Sequence, residues 1–229
     1  MRHAQYARGA TLVAAGDAAA SRAEATAEKP RMSRIQRKNR ALILEAGLEV
    51  FAQNGFRGAT VDMIAQTAGL SKPNLLYYFR SKEEIYTTIL ADLLAEWLNP
   101  LRALNPDGVP LDELMGYVRR KLEMARDFPR ESRLFATEVI QGAPHIQSVL
   151  TTQLRDLVQD QSDILSRWMD EGRIARMHPV HLIISIWALT QHYADFDAQV
   201  RAIVPETDPY PAAADHLALI FGRLLTPQP

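Results

Sequence analysis

The stretch Thr60–Tyr86, TVDMIAQTAGLSKPNLLYYFRSKEEIY, decides the fold. Val61, Ile64, Ala65 and Ala68 recur at helical spacing, so Val61–Ala68 reads as a short helix with one apolar face. Thr60 is placed to cap it, and Asp62 is an acid in the first turn, where the helix dipole favours negative charge. Gly69 then supplies the left-handed conformation that ends helices. Ser71 caps a second helix, and Pro73 sits in its first turn, where a missing N–H costs nothing. Helix, turn and capped helix within so few residues form a helix-turn-helix, the unit that presents its second helix to a DNA major groove.

Working outward, Arg34–Asn54 reads as a helix stopped by Asn54-Gly55, with Ile35, Leu42, Ile43 or Leu44, Ala46, Leu48, Val50 and Phe51 feeding a core. Ser81 caps a long helix, with Glu84 at the capping-box position, and Pro100 is expected to stop it at Asn99. Further helices are predicted over Leu111–Asp127, Glu131–Gln141, Ile146–Glu171, Pro179–Val204 and Ala212–Leu225, separated by Pro- and Gly-bearing loops. No strand-like alternation of any length occurs. The predicted fold is all-α with about nine helices. Its expected parts are a disordered tail over 1–31, a helix-turn-helix DNA-binding domain over 32–80, and a larger helical ligand-binding and dimerisation domain over 81–229.

A chain of 229 residues, 47% hydrophobic, can bury a substantial core. It has no cysteine, which excludes a disulfide scaffold, a thiolate metal site or a cysteine nucleophile and suits a reducing cytoplasm, the expected location. The net charge of −1 is unevenly spread. Arg31–Glu84 carries nine Lys/Arg against five Asp/Glu, and the remainder to the C-terminus thirteen against nineteen. A basic head on an acidic body suits a protein that sets one end on phosphates. Arg2 and Arg8 precede Ala10–Ala15, but that stretch is too short for a secretory signal and runs into Asp17. No segment has the run of apolar residues that a membrane span needs.

Gly69-Leu70-Ser71-Lys72-Pro73-Asn74-Leu75-Leu76-Tyr77-Tyr78-Phe79-Arg80-Ser81-Lys82-Glu83 closely resembles the N-terminal signature of TetR-type transcriptional repressors. Ile43–Phe51 and Asn54-Gly55-Phe56 are similar to that family's first helix and its exit. The family usually has Tyr where Leu76 stands and often Pro where Arg80 stands. The resemblance implies that Thr60, Tyr77, Tyr78 and Lys82 contact phosphates of double-stranded operator DNA. It also implies that Ser71, Lys72, Pro73 and Asn74 read the groove. Arg34, with Arg37, Lys38 and Arg40, forms a basic run that either tracks the DNA backbone or is a solvated face. Leu75, Leu76 and Phe79 read as core. The resemblance further implies a homodimer built from the last two helices, which places two recognition helices about 34 Å apart.

In the body, His181–Phe196 reads HLIISIWALTQHYADF, and Trp187 and Gln191 lie four residues apart on one helix face. An amide amid apolar neighbours needs partners for its donors and acceptor. Gln191 either bonds a backbone group or a dimer-mate, or meets the edge of a flat heterocycle stacked on the indole. Glu96-Trp97-Leu98-Asn99-Pro100-Leu101, Lys121-Leu122-Glu123, Ser132-Arg133-Leu134-Phe135, Gln141–Pro144 and Ile186–Phe196 resemble the branch of the family that regulates pyrimidine utilisation. That resemblance implies a small-molecule effector such as uracil or thymine, with Trp97, Trp187 and Gln191 as pocket residues. A purine, another heterocycle or an apolar compound on the same fold is the alternative. Trp97 lies near the end of the helix that starts at Ser81, so a ligand packed on it is expected to move that helix as a lever.

Catalysis is not expected. His178-Pro179-Val180-His181 and His192-Tyr193-Ala194-Asp195 lack the spacing of a known metal or catalytic set, and there is no phosphate-binding Gly-rich loop or nucleophile elbow. No cofactor is expected. An acidic body of this size also disfavours a purely structural nucleoid protein.

Overall fold

The computed structural model describes residues 33–204 and 208–227. The tail expected to be disordered lies outside the described residues. All regular secondary structure among the described residues is helical, and the helices number ten when 147–170 is counted as one. They are α1 (Arg34–Gly58), α2 (Val61–Thr67), α3 (Lys72–Tyr78), α4 (Lys82–Arg102), α5 (Pro110–Asp127), α6 (Pro129–Ile140), α7 (147–170), α8 (Pro179–Asp195), α9 (Asp197–Ile203) and α10 (Pro209–Leu225). Among the described residues no helix is long and apolar enough to cross a membrane.

The chain divides into two compact units between Asp92 and Leu93, inside α4. The reason is packing: Ile85, Tyr86, Ile89 and Leu90 of α4 are buried with Ile43, Leu48, Phe51, Ile64, Leu75 and Phe79. Gly47 permits that approach, because a Cβ there would lie 2.8 Å from Cγ2 of Ile85.

In this first unit Ser33 and Gln36 form a reciprocal capping box at the start of α1. Gly55, at φ 65°, breaks the helical path where Asn54-Gly55 predicts. Thr60 accepts from the Met63 N–H at 3.2 Å, and Gly69 takes φ 67°. The Glu84 N–H donates to Ser81 Oγ at 3.1 Å, but the Glu84 carboxylate accepts from the Arg80 N–H, one residue before the expected partner. Three apolar residues expected in the core are exposed instead: Ile35 at 71%, Leu42 at 42% and Leu76 at 39%. Each lies off the stripes that Ile43, Leu48, Phe51, Leu75 and Phe79 turn inward.

In the second unit α8 is the central rod, packed against α5, α6 and α7, with α10 laid on α5. Leu98, Leu101, Leu114, Val118, Leu165, Trp168, Leu182, Ile183, Ile186, Leu217 and Phe221 fill the core. Here α4 passes through Pro100 to Arg102, beyond the expected stop. Fully buried Leu101 anchors that last turn, and the Ala103 N–H still reaches the Asn99 carbonyl at 3.0 Å. Within α7 the backbone widens into a π-turn over Leu150–Leu154, beside Thr151 and Thr152 hydroxyls that bond back to Gln147 and Ser148 carbonyls. The single helix expected over Pro179–Val204 is two, because Phe196 (φ −114°, ψ 32°) leaves the helical region while its ring stacks on His192. α10 begins at Pro209, with Asp208 accepting from the Tyr210 N–H.

Candidate functional site

The first unit presents α3 as an exposed, capped helix. Ser71 accepts the Asn74 N–H at 3.4 Å, while Ser71, Lys72, Pro73, Asn74 and Tyr77 face solvent. Tyr77 is 71% exposed, and its hydroxyl receives Gln36 Nε2 at 3.3 Å. The Tyr78 hydroxyl receives Asn39 Nδ2 at 3.0 Å. The two rings meet edge to face, 5.1 Å apart. Gln36 and Asn39, two residues of α1 without an assigned role in the sequence, therefore orient both tyrosines.

Lys72 is paired with Asp62 at 2.9 Å, an exposed contact that solvent screens. Lys82 donates to the carbonyls of Phe56 and Ala59 at 2.7 and 2.8 Å and sits 4.5 Å from the Phe56 ring centroid. It ties the exit of α1 to the start of α4, leaving one of its three N–H donors for a phosphate. Arg34 is exposed on the first turn of α1, and Arg40 lies over Phe79 at 4.5 Å. The unit thus places hydroxyls, an amide and cations on and around one protruding helix, the groups that position a protein on a duplex and read base edges.

The second unit gathers polar and aromatic groups from four helices. On α8, Trp187, Gln191 and Asp195 recur every fourth residue, so they line one face. Tyr117 and Lys121 do the same on α5. The Trp187 indole N–H donates to the Tyr117 hydroxyl at 2.6 Å. Lys121, only 4% exposed, lies 5.4 Å from the ring centroid of Trp97, which is itself buried and packed edge-on against Phe135 of α6. Ser132 of α6 donates to Asp195 Oδ1. Gln191 is half-buried, one turn beyond Trp187 and one turn before Asp195.

Burial dominates the electrostatics here. It pulls Lys121 down to about 8 against the attraction of Asp195. It raises Asp195 above the usual carboxylate range against the Ser132 hydrogen bond and the nearby Lys121, His192 and Arg133. It also lifts the Tyr117 phenol, against the Trp187 hydrogen bond. A separate open cleft in this unit is lined by Glu96, Asn99, Pro100, Ala103, Arg120 and Met124 and includes neither tryptophan nor Gln191.

The three pocket residues implied by resemblance therefore lie in one unit, with Trp187 and Gln191 on a shared face and Trp97 linked to the group through Lys121. Tyr117, Lys121, Ser132, Phe135 and Asp195 carry no role in the sequence reading. Their signal was a lysine on the apolar face of α5, where Leu114, Val118, Leu122 and Ala125 are buried. No group of three or more His, Cys, Asp or Glu suited to a metal ion occurs among the described residues.

A capped helix-turn-helix followed by an all-helical second unit defines a DNA-binding transcriptional regulator. Residues 43–89 match the model of the bacterial regulatory proteins of the tetR family, and residues 90–226 match that of the YcdC-like protein C-terminal region. The chain belongs to the TetR family. It is 45% identical over 175 residues, covering 76% of this chain and 82% of the relative, to the HTH-type transcriptional regulator RutR of Escherichia coli K12. The Shigella flexneri RutR matches equally. A regulatory protein of the tetR family from Rhodococcus RHA1 shares the fold, with TM-score 0.67, 21% identity and coverage of 84% of this chain and 99% of that one. These relatives are transcriptional regulators, not enzymes.

Proposed function

We propose that this regulator's affinity for operator DNA is controlled by a small pyrimidine such as uracil or thymine, bound at Gln191 between the indoles of Trp187 and Trp97. The observation that carries the reading is the Trp187–Gln191 face of α8, where an indole and an amide stand side by side among buried apolar residues. The amide offers a donor and an acceptor to the imide edge, and an indole covers the ring. The 45% identity to RutR supports the same reading. A ligand of about eight heavy atoms needs such a small, matched site to bind usefully.

Thr60, Tyr77, Tyr78, Lys82 and Arg34 hold phosphates in this reading, and Ser71, Lys72, Pro73 and Asn74 face the bases. The operator-bound form is a cytoplasmic homodimer. Its supporting surface is apolar: Ile184 and Leu189 on α8 and Leu219 and Leu224 on α10 are exposed. Trp97 stands on α4, the helix whose first turns are buried in the DNA-binding unit. An effector that prefers one position of α4 by a few kcal/mol shifts the population away from the operator-competent form. The experiment is calorimetric titration with uracil, paired with a gel-shift titration on operator DNA. Gln191→Ala abolishes or strongly weakens uracil binding and removes the effect of uracil on the shifted band. Undiminished uracil binding by that variant would exclude the role given to Gln191.

A further inference from the structure

We propose that Lys121 and Asp195 form a second recognition pair in the effector site, one that grips a ring edge where a carbonyl stands beside an N–H. The proposal rests on the pyrimidine reading above and names the groups that would read the remaining edge of the ring.

Lys121 occupies an apolar-face position of α5 and is 4% exposed. Its ammonium has three donors. Among the described residues it meets the indole face of Trp97 and is attracted through space by Asp195, but no hydrogen-bond acceptor receives it. Among the described residues the fully enclosed side-chain atom without a partner is Gln161 Oε1, not the Lys121 nitrogen, so the ammonium faces space that solvent reaches, where a ligand acceptor can take the place of water. Asp195 is held on its other side. Ser132 fixes Oδ1, and His192 and Arg133 are the further charged or titratable groups acting on it. Its Oδ2 is left to accept. The remaining group against Lys121, Trp97 of α4, is uncharged.

The two groups are a cationic donor and an anionic acceptor presented by adjoining helices. Their complement is an acceptor next to a donor on one ring: a carbonyl for Lys121 and the neighbouring N–H for Asp195. Gln191, one turn before Asp195 on the same face, offers a second donor and acceptor. A pyrimidinedione has two such edges and satisfies both sets. A ring with an amino group in place of the carbonyl turns N–H toward the ammonium and is rejected. Burial favours the neutral amine only above about 8, so the cation persists at neutral pH.

The test uses the full chain and two rings. Uracil carries both edges, whereas pyrimidin-4-one lacks the carbonyl and N–H assigned to the pair. Wild-type protein is expected to bind uracil about tenfold or more tighter by calorimetry, the scale of a hydrogen bond to a charged group. Lys121→Met and Asp195→Asn each lose that preference while their affinity for pyrimidin-4-one is unchanged. Both keep their helical circular dichroism and their ligand-free operator binding. If Lys121→Met loses its helical signal, Asp195→Asn, which keeps the side-chain size, decides the same comparison. Variants that keep the full preference for uracil overturn the pair while the pyrimidine reading stands. Wild-type protein that binds neither ring overturns both.

Discussion

The Trp187 indole N–H and the Tyr117 hydroxyl, 2.6 Å apart, bind α8 to α5 one turn before Gln191. Tyr117 is buried, so this bond fixes the ring of one proposed effector contact from the neighbouring helix. Tyr117→Phe leaves the Trp187 N–H without its acceptor. The expected cost is about 1–2 kcal/mol of stability, read as a lower urea midpoint with an unchanged slope.

Lys121 makes stability depend on pH in a defined direction. Its ordinary value of 10.5 is lowered in the fold to about 8. Below about 8 both folded and unfolded chains carry the charge, and the fold bears the whole burial penalty. Between the two values the unfolded chain holds more protons, so stability rises with pH. The span corresponds to on the order of 3 kcal/mol. Lys121→Met should be more stable than wild type at pH 7, and the difference should shrink as pH rises through 9. Denaturant melts of both proteins across that range measure it.

On the DNA side, Arg34→Ala should weaken operator binding for all sequences and lower the slope of log K against log salt by about 0.9, the effect of one phosphate contact. Arg34 is exposed on the first turn of α1, so its loss should leave stability within about 0.5 kcal/mol. Asn74→Ala should instead relax sequence preference, by about 1–3 kcal/mol at one base pair. Fluorescence anisotropy with a panel of single-substitution duplexes separates the two.

Gln161 of α7 is buried, and its Oε1 has no partner. Gln161→Leu removes that desolvated oxygen at similar volume. The variant should gain about 1 kcal/mol and melt a few degrees higher, measured by calorimetry.

The exposed apolar residues of α8 and α10 predict the effect of one charge. Leu219→Glu should convert the proposed dimer to a monomer in sedimentation velocity, and operator affinity should fall because each head then binds alone. The ligand-free helical content should be retained, since Leu219 is 50% exposed.

Local chemistry made the first unit readable. Thr60, Gly69, Ser71 and Pro73 act within a turn of themselves, and each does in the structure what its residue type demands. The amphipathic period of α5 and the Pro and Gly punctuation placed the remaining helices to within a few residues. The misreadings came from tertiary effects. Buried Leu101 carries α4 past a proline, and Phe196 breaks a helix that has neither Gly nor Pro at that point. Ile35, Leu42 and Leu76 counted as core by residue type, yet their angular positions point outward. At the proposed effector site the i, i+4 relation of Trp187 and Gln191 is visible in the sequence. The opposing Tyr117 and Lys121 are not, because nothing local shows which helix packs against which face. A lysine amid Leu114, Val118 and Leu122 was the available sign.

The core of the first unit is completed by the opening turns of α4. A DNA-binding fragment cut at Arg80 would therefore lose Ile85, Tyr86, Ile89 and Leu90 and leave Phe51 and Phe79 bare to water. A fragment carried to Asp92 keeps that lining and should melt cooperatively when expressed alone.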